Sequence, residues 1–235
     1  MTFDIEKFLR IDISYPGISF GYESWALESY LKVLDESVSF AREQYRLRAK
    51  RDLDKREAEL VHEQVNQKLW EIEEAAETQI PRFFRIGALI PIWGLFESFV
   101  FDIALYVGGR EKTGLSLRDI RAPNFRRQVE MYFEGALRIK LPWSEEERFK
   151  LGLLQELRNF VAHRNGRVTD LNTERRQDIE RLVAAVPSVT IDDGALMVPS
   201  EYIEEAAALV FNVVGKLSQM IADRYDGPTV PNIEI

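Results

Sequence analysis

The chain has no cysteine, so disulfides, thiolate zinc sites and a cysteine nucleophile are all excluded. It has only two histidines, His62 and His163, too few for a histidine-rich metal site within one chain. No metal and no cofactor is therefore expected. From Tyr22 to Ile80 there is neither glycine nor proline, so nothing in that stretch breaks a helix. The N-terminus carries acidic residues early and lacks the apolar core of a secretory signal. The longest apolar run, IGALIPIWGLF, stops at Glu97 and falls short of the roughly 20 residues that span a bilayer. A cytoplasmic protein without a membrane partner is the expectation.

What is present is helix-forming sequence in quantity. Residues 22–80 are rich in Ala, Leu, Glu, Lys, Arg and Gln, with Trp25, Leu27, Leu31, Leu34, Val38 and Ala41 at helical spacing. That reads as two long helices or one very long one, after an irregular arm over residues 1–21. Arg46 to Glu59 is a charge run, the mark of a solvated face or a turn. Residues 81–109 are apolar nearly all round, start at Pro81 and stop at Gly108-Gly109, as suits a buried central helix. Pro91 is expected to kink that helix or open its second half. A basic loop over 110–122 leads to a helix from Pro123 to about Ile139.

Ser144 and Glu147 then form a capping box for a helix running to about Arg164, ended by Asn165-Gly166. A further helix is expected from Thr173 to about Val186. SVTIDDGALMVP predicts a small hairpin turning at Asp193-Gly194, before a last helix capped by Ser200. The fold class is all-α: a helical bundle with long N-terminal helices and a small β-hairpin before the last helix. Its expected divisions are an N-terminal arm and long helices over 1–80, a helical bundle over 81–226 and a tail over 227–235, packed as one compact domain.

The net charge of −8 argues against a nucleic-acid partner, but the charge is unevenly spread. Arg110 to Arg181 holds 16 basic against 12 acidic residues, and the rest of the chain 15 against 27. The basic segment contains ELRNFVAHRNG, residues 156–166. At about 100° per residue, Leu153, Leu154, Leu157, Phe160 and Val161 fall within one arc of about 120°. Gln155, Glu156, Arg158, Asn159, Ala162 and His163 occupy the opposite arc. An arginine there offers a planar fork for a phosphate, and a histidine moves protons near neutral pH. Asparagine can position a neighbour or a ribose hydroxyl. Together they could cleave RNA without metal, the 2′-OH attacking its own phosphodiester while arginine stabilises the charge on phosphorus. The bland alternative is a helix end, where His163 meets exposed carbonyls and Arg158 pairs with an acid.

Residues 144–166 resemble the signature helix of the HEPN superfamily, with Arg158-Asn159 followed by His163 at the four-residue spacing. LFESFVFDIA, residues 95–104, is similar to that family's earlier helix and makes Glu97 the matching acidic residue. The resemblance spans roughly residues 85–222. It implies a helical bundle, a homodimer with facing motifs, and metal-independent endoribonuclease activity in toxin–antitoxin or antiviral defence settings, with an antitoxin or other regulatory protein as a partner. His163, Arg158 and Asn159 are then the expected catalytic residues, with Glu97 supporting Arg158. Arg121, Arg126, Arg127 and Arg164 are the expected RNA contacts. The alternative is a non-catalytic helical dimer that binds a nucleotide or a partner protein through the same polar face.

Overall fold

The computed structural model describes residues 15–56, 60–169 and 171–225. It is an all-α bundle with one two-stranded hairpin before the last helix. The helices are α1 (Gly17–Lys32), α2 (Leu34–Asp54), α3 (His62–Glu74), α4 (Ile80–Arg110), α5 (Phe125–Glu130), α6 (Glu145–Arg164), α7 (Thr173–Ala184) and α8 (Ser200–Tyr225). Strands β1 (Thr190–Asp192) and β2 (Ala195–Met197) pair antiparallel, with Ile191 opposite Leu196. The irregular arm expected over residues 1–21 is helical from Gly17 on, where α1 begins, while its residues 1–14 and the tail expected from residue 227 lie outside the described residues.

Two further helix boundaries differ from expectation. Pro81 does not start a helix, because α3 continues into α4 through a π-turn over Ala75–Gln79. There the Ile80 N–H donates to Ala75 O, five residues back. Widening the ladder just ahead of Pro81 lets a residue without an N–H be carried inside the helix. Pro91 also lies within α4, which runs unbroken to Arg110. The second difference is the stretch read as one helix from Pro123 to Ile139. It is the short α5, N-capped by Asn124, followed by a π-turn over Met131–Ala136. Arg138 then takes a left-handed φ of 60°, which stops the helix.

The continuous helix His62–Arg110 contains an 18-residue window long and apolar enough to cross a membrane, and 56% of that window is buried within the protein. The sequence expectation counted an unbroken apolar run and so ended at Glu97. Leu89, Ile92, Trp93, Phe96 and Val100 in this helix are fully enclosed, as in a core helix.

The chain divides into two units. Among the described residues one comprises 15–27, 91–158 and 205–225, and the other the described part of 28–90 and 159–204. In the first, Trp93, Phe96 and Trp143 stack at centroid distances of 4.9 and 5.8 Å, and the Trp143 indole donates to Val213 O at 2.8 Å. Tyr15 donates to Ser218 O at 2.5 Å, and burial pushes its phenol up to about 12. In the second unit, Arg46 and Lys50 of α2 each reach Glu73 of α3 at 2.8 Å. The charged stretch beginning at Arg46 is thus partly a helix–helix seam.

Candidate functional site

The motif helix α6 begins with the expected reciprocal cap. Ser144 N–H donates to Glu147 at 2.7 Å, and Glu147 N–H donates to the Ser144 hydroxyl at 3.2 Å. Leu154, Leu157, Phe160 and Val161 are buried, as their arc requires, while Glu156, Ala162, His163 and Arg164 are exposed. Gln155 departs from the pattern. Placed on the polar arc by periodicity, it is buried because α5 lies over it, and its amide oxygen accepts the Arg126 N–H at 3.2 Å.

Arg158 is half-buried, and its Nη2 donates to Glu97 Oε2 of α4 at 2.9 Å. The two residues, 61 apart in the chain, are brought together because α4 and α6 both contribute buried faces to the first unit. A carboxylate on one edge of a guanidinium restrains its plane. Asn159 is half-buried. His163 stands in the exposed last turn of α6 and makes no hydrogen bond or ion pair among the described residues. His62 is also exposed, beside Asn66 at 3.1 Å.

The expected RNA contacts separate into two kinds. Arg121 and Arg164 are exposed. Arg126 and Arg127 instead converge on the buried carboxylate of Glu130, at 2.6 and 3.0 Å. Among the described residues no group of three or more His, Asp or Glu side chains is placed to hold a metal ion.

Sequence reasoning missed Arg82. It is 1% exposed, and its Nε donates to Leu196 O at 3.1 Å while Nη2 donates to Asn165 O. Asn165 is the first residue beyond α6, so Arg82 closes the helix that carries His163. Asn165 and Gly166 take φ values of 52° and 67°, and a Cβ on Gly166 would meet Arg82 Nη2 and Leu196 Cβ at 3.1 Å each. Gly166 O in turn accepts the Leu196 N–H at 2.8 Å, which joins the helix stop to the hairpin. Burial, then the nearby charge of Arg167, lowers the Arg82 pKa. The one sequence signal was an arginine inside a mostly apolar helix, and it gave no hint of its partners.

No protein family matches the chain, and neither a curated protein nor a solved structure is similar to it.

Proposed function

We propose that the protein is a metal-independent endoribonuclease of HEPN type. The observation that carries this reading is the Glu97–Arg158 pair at 2.9 Å, on the helix that exposes His163 five residues later. Arg158, oriented by Glu97, contacts the scissile phosphate and stabilises the charge that gathers on it. His163 takes the proton from the ribose 2′-OH as that oxygen attacks phosphorus. The bond from phosphorus to the 5′-oxygen breaks, leaving a 2′,3′-cyclic phosphate and a free 5′-hydroxyl. The leaving oxygen needs a proton, which His163 of a second copy in a twofold dimer would supply. Asn159 orients the pair. The setting is cytoplasmic, in toxin–antitoxin or antiviral defence, where an antitoxin or other regulatory protein would restrain the activity.

The test is cleavage of total cellular RNA in excess EDTA by wild type and His163→Ala. Cleavage to 2′,3′-cyclic phosphate ends, lost by at least about a hundredfold in the variant, is the expected result. Equal cleavage by both proteins would remove His163 from the mechanism. No cleavage by folded wild type, together with nucleotide binding that the variant weakens, would favour a non-catalytic dimer that binds through the same polar face.

A further inference from the structure

A cleft of 730 Å³ opens beside α5, the following π-turn and the start of α6. Every side chain lining it is charged. Arg126, Arg127, Arg138, Lys140 and Arg148 supply five positive charges against three carboxylates, an excess of two in a chain whose net charge is −8. No aromatic side chain lines it, so a base or an apolar ligand has nothing to stack on.

The charges are not equivalent. Glu130, buried at the floor, receives Arg126, Arg127 and Arg148 at 2.6, 3.0 and 3.3 Å. Glu134 receives Arg148 at 2.6 Å and accepts the Leu141 N–H at 3.0 Å. Glu130 and Glu134 are thus held closely by arginine, while Glu145 stands 98% exposed at the rim, 3.9 Å from Arg148. Arg138 and Lys140 have no hydrogen bond or ion pair among the described residues. They alternate with Ile139 and Leu141, both buried, and the Glu134 latch fixes the turn that presents them. Arg126 adds a buried Nε without a partner, above Gly152 of α6.

We propose that this cleft binds the phosphodiester backbone of single-stranded RNA without reading its bases, with Arg138 and Lys140 making the outer phosphate contacts. The choice of RNA over another polyanion rests on the ribonuclease reading. Arg148 and Arg158 lie ten residues apart on α6, about 15 Å along its axis. A strand held at Arg158 would reach the cleft by running along that length of α6.

The experiment is fluorescence anisotropy of a labelled, mixed-sequence single-stranded RNA over a range of salt concentrations. It compares wild type with the double variant Arg138→Gln/Lys140→Gln. Both glutamines sit at exposed positions and keep the side-chain stems, and thermal melting checks the fold. The double variant is expected to bind on the order of tenfold more weakly, with a log–log salt slope shallower by roughly 1.4, about 0.7 for each lost phosphate contact. Wild type that binds no RNA, or a double variant with unchanged affinity and slope, overturns the proposal. The two readings fail separately. RNA binding lost in the double variant without any cleavage by wild type removes the ribonuclease and keeps the cleft. Cleavage by wild type with an unaffected double variant does the reverse.

Discussion

Arg148 and Arg82 are the two arginines buried among the described residues, one in each unit, and their surroundings are opposite in kind. Arg148 lies between carboxylates, with Glu134 at 2.6 Å and Glu130 at 3.3 Å, and also donates to Trp143 O. Burial opposes its charge, but the hydrogen bond and charge of Glu134, with those of Glu130, outweigh this and raise its pKa. Arg82 has no carboxylate partner among the described residues. It donates to two main-chain carbonyls, lies 5.3 Å from the centre of the Phe83 ring, and keeps a buried Nη1 without a partner. One arginine is embedded by charge and the other by backbone geometry. The first neutralises a cluster, whereas the second holds the end of a helix.

The comparison predicts unequal costs of removal. Arg148→Met leaves Glu130 and Glu134 short of a counter-charge in a largely buried place and should cost about 3–5 kcal/mol in urea unfolding. A loss under about 1 kcal/mol would mean that Arg126 and Arg127 already satisfy the cluster. Arg82→Met removes a cation that burial disfavours, so the desolvation recovered offsets part of the lost hydrogen bonding. The expected cost is about 1–2 kcal/mol, for two carbonyls left without their donor. If Arg82→Met proves as damaging as Arg148→Met, the distinction between the two arginines fails.

These two residues also show where sequence reading stops. Helices with long periodic patterns, the capping box of α6 and the Asp193-Gly194 turn were legible, because each depends on residues close in the chain. Asp193 and Gly194 take φ values of 42° and 68°, as a two-residue turn of type I′ demands. The contact between Glu97 and Arg158 was named only through the resemblance, since 61 residues separate them and no periodicity links them. Arg82 was invisible because its partners are carbonyls, which every residue has. Arg126 and Arg127 were expected as RNA contacts from the basic run that holds them, and nothing in that run told that both reach Glu130, one turn on. Gln155 was misplaced because periodicity assigns a face without knowing that a second helix covers it.

Residue 147 gives the smallest effect and the sharpest contrast with its neighbour Arg148. Glu147 is a charge held at a helix end, by Ser144 N–H at 2.7 Å and by Asn212 and Lys216 at 2.5 Å each. Burial pushes its pKa up, but Lys216 and the Ser144 hydrogen bonds prevail and hold it below the ordinary value of 4.5. A carboxyl whose folded pKa is depressed stabilises the fold above its unfolded pKa, and that contribution is lost as pH falls through the folded value. Ser144→Ala should cost about 1 kcal/mol at neutral pH, because one end of the capping box goes. Glu147→Gln should remove part of the stability lost on acidification below pH 4.5 while changing little of what survives there. Urea midpoints measured at neutral pH and at acid pH read this directly. An equal deficit for Glu147→Gln at both would show that the side chain acts by shape and hydrogen bonding alone. It would also leave Arg148, one residue on, as the point near the start of α6 where charge itself holds the fold.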